Sequence, residues 1–216
     1  NDKIEVGVSG GKDSLVLLYG LHLLSKYYPK QFSVVAITAD PCFENKSSDF
    51  SAIESFCEKH DIPYYIKRTE LYNVVFKDRQ EKNPCSLCAR MRRGILHDMA
   101  KEHGCNKIAL GHHKDDAVET FLMNLLQGGT LGSFSPVTYL SNKDITMIRP
   151  MIALEEREVE NACLRNALPV TKSNCPVDKE TVREETKNLV KTLEQDYPAL
   201  KQKIINAMKK SNLSNW

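Results

Sequence analysis

A chain of 216 residues with 30 basic and 28 acidic side chains carries a net charge of +2, which leaves any nucleic-acid contact to local clusters rather than to a generally basic surface. Apolar residues make up 41% and charged ones 27%, the balance of one folded domain, and no apolar run approaches the ~20 residues of a membrane span. Seven cysteines, odd in number and unevenly spaced, speak against a disulfide framework and for reduced thiols in a cytoplasmic protein, a few of them functional.

The opening on Asn1, without Met, leads us to expect residues upstream. Residues 4–8 predict a strand, and 14–27 place Leu15, Leu18, Leu21 and Leu24 at helical spacing. Residues 32–38 predict a strand, 47–60 a helix and 63–67 a third strand. After an irregular segment come a helix over 86–103, a strand over 107–110 and a helix over 115–126. The stretch QGGTLGSFSP, 127–136, reads as a flexible connection. Residues 145–149 predict one more strand, and helices follow over 155–166, 181–194 and 199–209. This alternation predicts an α/β fold with a doubly wound parallel sheet covered on both faces. Residues 1–150 are expected to form the nucleotide-binding part and 151–216 a helical region packed with it as one unit.

Directly after the first strand stands Ser9-Gly10-Gly11-Lys12-Asp13-Ser14. It matches neither GxxxxGKS/T nor GxGxxG. Two glycines let backbone N–H groups approach an anion, the following helix offers its positive end, and Lys12 adds a point charge, so phosphate is the expected ligand. A plain strand-to-helix turn capped by Ser9 or Asp13 is the alternative. The motif resembles the PP-loop of the ATP pyrophosphatases, which cleave ATP to AMP and pyrophosphate to activate a carbonyl oxygen as its adenylate. The resemblance implies the adenine-nucleotide α-hydrolase version of a Rossmann-like sheet. It also implies ATP held by Ser9 to Ser14 at the carboxyl ends of the strands, with Ala39, Asp40 and Gly111 beside the nucleotide.

A second stretch, ALGHHKDDAVET at 109–120, runs from strand into helix through His112, His113, Asp115 and Asp116. Carboxylates beside an ATP site can hold magnesium through oxygen, or they can be first-turn residues that complement the helix dipole. The pattern resembles a segment shared by lysidine synthetases and tRNA 2-thiocytidine synthetases. That resemblance implies Lys12, Asp13, Asp115 and Asp116 as catalytic residues, with Asp13 and Asp115 on magnesium.

A third stretch, PCSLCARMRRG at 84–94, separates those two families. Its CxxC opens a helix whose dipole is expected to lower the thiol pKa values, and by itself it fits zinc, a redox pair, an iron–sulfur cluster or no function. The whole string resembles the signature of the tRNA 2-thiocytidine synthetases, in which a third cysteine, here Cys175, completes the ligand set. The resemblance implies a 4Fe–4S cluster on Cys85, Cys88 and Cys175 with one iron open to sulfur. A structural zinc would ask for a fourth protein ligand, and the position that would complete a second pair is Asp178. Cys42, Cys57, Cys105 and Cys163 are expected to be small core residues. Arg90, Arg92 and Arg93 follow on the same helix, with Arg90 and Arg93 on one face. With Arg149, Arg183 and the lysines Lys187, Lys191 and Lys201 they are candidates for tRNA phosphates, a solvated helix face being the alternative.

The resemblance runs through almost the whole chain and implies ATP- and magnesium-dependent tRNA thiolation. The C2 oxygen of a cytidine at position 32 would be adenylated and replaced by sulfur from the cluster. Implied partners are tRNA and a sulfur donor such as a cysteine desulfurase, with homodimerisation open and no membrane. The alternatives are thiolation of a tRNA uridine or a small molecule, a lysidine-synthetase-like ligase, which has no use for three ligand cysteines, and a non-catalytic nucleotide sensor.

Overall fold

The computed structural model describes residues 1–79, 84–172, 174–176 and 182–216. Its first half runs β1 (Asp2–Gly7), α1 (Lys12–Ser25), β2 (Phe32–Asp40), α2 (Ser51–Lys59) and β3 (Tyr64–Arg68). Then come α3 (Pro84–Glu102), β4 (Lys107–Ala109), α4 (Lys114–Leu126), β5 (Val137–Leu140) and β6 (Ile145–Ile148). The helices α5 (Glu156–Arg165), α6 (Val182–Asp196) and α7 (Leu200–Lys210) follow.

The strands form one sheet in the order β3-β2-β1-β4-β6-β5, parallel throughout except for β5 against β6. The chain leaves β1 toward β2 and β3, then returns to the other side of β1 with β4. The loops after β1 and β4 therefore diverge at a topological switch point, where open α/β sheets bind ligands. The antiparallel β5 lies outside the sequence expectation. It is four residues long with Val137 and Tyr139 exposed, so its period-2 signal is faint.

Alternation along the strands sorts the core. Val34 and Ala36 of β2 join Val6 and Val8 on the face covered by Leu15 and Leu18 of α1, Ile53 of α2 and Val159 of α5. Val35 and Ile37 point the other way, with Ile108, against Met99 and Ala100 of α3. Each fully buried aliphatic side chain contributes about 2 kcal/mol. Glu5, in register with Val35 and Ile108, is completely buried, and neither carboxylate oxygen has a hydrogen-bond partner among the described residues. Burial pushes its carboxyl up to about 8.

A third apolar cluster joins α4 to α6 and α7 through Val118, Leu122, Val190, Ile205 and Met208, with Phe134 and Trp216 against it. The 127–136 stretch is accordingly anchored in its second half rather than loose. Asn124 Nδ2 donates to Gly132 O at 2.9 Å, Ser133 Oγ to Ala117 O at 2.9 Å, and Trp216 Nε1 to Phe134 O at 3.0 Å. The helix α2 begins later than its sequence suggests because Asp40 captures Ser48, through N at 2.9 Å and Oγ at 3.0 Å, and holds residues 42–48 as a loop. Among the described residues no helix is long and apolar enough to cross a membrane.

Candidate active site

The β1–α1 loop leads into a helix start that leaves its first-turn backbone donors open. Gly10 takes φ +87°, and a Cβ there would fall 2.0 Å from Thr171 Oγ1, so both backbone and space require glycine. Ser14 Oγ donates to Gly11 O at 2.9 Å and accepts from Ser9 N at 3.1 Å, while Ser9 Oγ accepts from Gly11 N at 3.3 Å. The loop is thus closed by its own serines. Among the described residues no side chain caps α1, so its first-turn N–H groups are left for an anion. From the other side of the switch point, Gly111 packs backbone to backbone on α1: a Cβ there would lie 3.0 Å from the carbonyl carbon of Asp13.

The charged groups around this loop are paired across long stretches of sequence. Lys12 Nζ donates to Asp13 Oδ1 at 3.0 Å and to Glu156 Oε1 at 3.2 Å. Burial opposes ionisation of Glu156, but hydrogen bonds from Lys187 and Lys12 hold its carboxyl down at about 2. His113, buried at the start of α4, stands among carboxylates, with Nε2 3.9 Å from Asp13 Oδ1 and 3.5 Å from Asp116 Oδ2. Asp115 is buried, accepts Glu156 N–H at 2.8 Å and faces Lys201 Nζ at 2.7 Å. Burial works to raise its carboxyl, yet the Lys201 hydrogen bond leaves it below the ordinary value. Asp116 accepts Arg183 Nη1 at 3.0 Å, and Arg183 Nη2 reaches Thr120 Oγ1 at 3.2 Å.

A cleft of about 460 Å³ opens at the switch point. Of the expected residues, Ser9, Asp13, Ser14, Ala39, Gly111 and Asp116 line it, whereas Gly10, Gly11, Lys12, Asp40 and Asp115 do not. Arg92 and Arg93 of α3 form one wall, while Arg90 is exposed and stands outside the lining. Arg149 forms the inner wall, buried, with its guanidinium 4.8 Å from the centre of the Phe134 ring and Nη1 donating to Ser135 O. Burial, and then Arg93, lower its pKa to about 10. His112 packs on the same ring, and burial pushes its imidazole down to about 4, so it is neutral at physiological pH. A second cleft of about 450 Å³ shares Ser9, Ala39 and Arg92 with the first and is walled by Phe43, Phe50, Thr171 and Lys172.

The three thiols are close in sequence to residues that line these clefts. Cys85 and Cys88 lie one turn apart at the start of α3, four residues or more before Arg92, and Cys175 follows Asn174 of the second cleft. Cys85 is exposed, Cys88 and Cys175 are half-buried, and none of the three is in a disulfide. The expected lowering by the helix dipole is not found. Burial raises Cys85 and Cys88, and the neighbouring Cys175 raises both further, with Arg92 opposing at Cys88. Cys175 therefore stands near enough to the CxxC pair for its charge to act on both thiols. No three His, Cys, Asp or Glu side chains among the described residues are gathered tightly enough for a single metal ion. Cys85, Cys88 and Cys175 offer sulfur alone, the donor type of an iron–sulfur cluster, and a cluster several ångströms across spreads its thiolates wider than one zinc does. Asp178 lies outside the described residues. Of the other cysteines, Cys57, Cys105 and Cys163 are buried and Cys42 is half-buried.

Glu156, Lys187, Lys201 and Thr171 are the participants that sequence reasoning missed or misassigned. Lys187 and Lys201 have the spacing of a solvated helix face, and Glu156 lies in a run of charges with no motif around it. Only the proximity of α5, α6 and α7 to the loop gives them a role.

Comparison with known proteins gives three findings. The family model described as a PP-loop domain matches residues 1–191. A protein of Geobacter metallireducens named tRNA-cytidine(32) 2-sulfurtransferase is 39% identical over 210 residues, spanning 96% of this chain and 81% of the relative, and one of the same name from Geobacter sulfurreducens is 38% identical over the same shares. Among solved structures, the U34-tRNA thiolase of Methanococcus maripaludis with its 4Fe–4S cluster superposes with a TM-score of 0.80 at 29% identity, covering 97% of this chain and 71% of that one.

Proposed function

Because the chain belongs to the tRNA 2-thiocytidine synthetase family of PP-loop ATP pyrophosphatases, we propose that it uses ATP to adenylate the C2 oxygen of a tRNA cytidine and replaces that oxygen with sulfur, releasing AMP and pyrophosphate. The names of its relatives point to cytidine 32. The observation that carries the reading is an uncapped, glycine-bounded helix start at a cleft whose facing wall, Arg92 and Arg93, belongs to the helix that opens with Cys85 and Cys88.

In this reading the N–H groups of the loop and of the first turn of α1 hold the phosphates, and Lys12 offsets their charge. Asp13 is assigned to magnesium. Asp116, which lines the same cleft as Asp13, is favoured as the second ligand over Asp115, which does not line it. Val8, Ala39 and Leu110 supply apolar wall around the nucleotide, which matters because water would hydrolyse the adenylate. Two adjoining clefts provide separate room for the nucleotide and for a base turned out of the single-stranded anticodon loop. Arg90 and Arg93, exposed on α3, are the arginines best placed for tRNA phosphates; Arg149 and Arg183 are instead engaged inside the protein. Cys85, Cys88 and Cys175 would hold a 4Fe–4S cluster. When bound, that group supplies an iron site with no protein ligand, suited to presenting sulfur to the activated carbon. A sulfur donor such as a cysteine desulfurase is required.

A second reading, thiolation of a uridine, draws on the structural neighbour that acts on U34, but at 29% identity it is the more distant relative. Anaerobic reconstitution with iron and sulfide tests the cluster assignment. Wild type should take up about four irons per chain and Cys175→Ala markedly fewer. Stoichiometric zinc without iron, unaffected by the substitution, would overturn it.

A further inference from the structure

Behind the loop, Glu156 and Lys187 join the two residues assigned above to phosphate and magnesium, Lys12 and Asp13, in one set of charges. Lys12 Nζ does not reach freely into the cleft: it is held by Asp13 Oδ1 at 3.0 Å and by Glu156 Oε1 at 3.2 Å. Glu156 is the first residue of α5, and Lys187 of α6 grips it from the far side, with Nζ 2.8 Å from Oε2 and 2.9 Å from Oε1. The side chains of Lys12, Glu156 and Lys187 are only 27%, 27% and 28% exposed, so none is fully screened by water. Two ammonium groups and two carboxylates balance one another.

An incoming triphosphate competes with this arrangement for Lys12. If Lys12 were the sole partner of Glu156, turning it to phosphate would leave a half-buried carboxylate uncompensated beside a polyanion, a costly state. Lys187 removes that cost because it stays on Glu156 when Lys12 departs. We propose that Glu156 is a positioning residue for Lys12: it parks the ammonium at the rim of the empty loop and yields it to the triphosphate, with Lys187 as the counter-ion that keeps Glu156 satisfied through the exchange. The inference rests on reading the loop as an ATP site.

Calorimetric titration of the full chain with a non-hydrolysable ATP analogue, together with the Tm of each variant, tests it. Glu156→Gln removes the competitor and should tighten binding by roughly fivefold, the order of one net hydrogen bond. Glu156→Asp keeps the charge but shortens the reach, and should shift affinity in the same direction. Lys187→Met leaves Glu156 dependent on Lys12 and should weaken binding by roughly the same factor, an effect that largely disappears in the Glu156→Gln background. Glu155→Gln, next door and paired with Lys114 instead, should leave affinity unchanged.

A tie that only staples α5 to α6 would make Glu156→Gln and Lys187→Met weaken binding alike, in proportion to their loss of Tm, and that result overturns the proposal. So does a Glu156→Asp protein that binds like wild type while Glu155→Gln tightens as much as Glu156→Gln, which would reduce the effect to diffuse charge. Wild-type protein that binds no nucleotide at all would remove the ATP reading itself, and the inference with it.

Discussion

Glu5 offers a sharp test of the packing. Its carboxyl lies in the centre of the sheet with no hydrogen-bond partner among the described residues, and burial pushes it up to about 8 from 4.5 in the unfolded chain. A group raised in this way is protonated on folding. The stability tied to it is fully present below its unfolded pKa, declines as pH rises, and is lost once pH passes the folded value. Between pH 4.5 and 8 each pH step is worth about 1.4 kcal/mol, which amounts to roughly 5 kcal/mol over the interval and roughly 3 kcal/mol by pH 7. Glu5→Gln keeps the shape and the unpartnered polar atoms but cannot titrate. Urea unfolding of wild type and Glu5→Gln, in reductant, at pH 5, 6, 7 and 8, isolates the contribution as a difference between the two proteins. The wild type should lose stability relative to the variant steadily across the series, and Glu5→Met should exceed both at pH 8. Parallel stability curves for wild type and Glu5→Gln would refute the reasoning.

Other sites give equally direct outcomes. Gly10→Ala must fit a Cβ 2.0 Å from Thr171 Oγ1 at a positive φ, so nucleotide binding should fall below detection in calorimetry while circular dichroism keeps the wild-type α/β signal. Lys201→Met strips the buried Asp115 of its counter-ion and should cost about 2 kcal/mol at pH 7 by urea unfolding. That stability exists above the unfolded carboxylate value and is lost as pH falls through the depressed folded one, so wild type and Lys201→Met should converge in acid. Trp216→Ala removes the bond to Phe134 O and its packing against α4 and α7. It should lower stability by about 2 kcal/mol and open the 127–136 stretch to limited proteolysis.

What was legible in the sequence follows from the range of the interactions involved. The strand–helix alternation and the loop after β1 depend on neighbours in sequence, where hydrophobic period and glycine placement speak directly, and the structure keeps both. Strand β5 escapes because four residues, exposed on one face and only half-buried on the other, carry little period. The 127–136 stretch looked loose because its glycines and serines were visible, whereas its anchors, Ser214 and Trp216, stand about 80 residues away. The same distance hid the ion pairs. Lys187, Lys201 and Arg183 had the appearance of an RNA-facing surface, yet they are spent on Glu156, Asp115 and Asp116. At the CxxC the helix dipole was the only influence that sequence could supply, and burial together with the approach of Cys175 outweighs it.

The central claim is that ATP cleavage at this loop serves thiolation of a tRNA cytidine. Reconstituted protein incubated without oxygen with ATP, magnesium, sulfide and an unmodified tRNA, followed by digestion to nucleosides and mass analysis, tests it most directly. The account predicts 2-thiocytidine in step with AMP, both abolished in Lys12→Ala. Thiouridine in place of thiocytidine, or thiocytidine formed without any AMP, would contradict it.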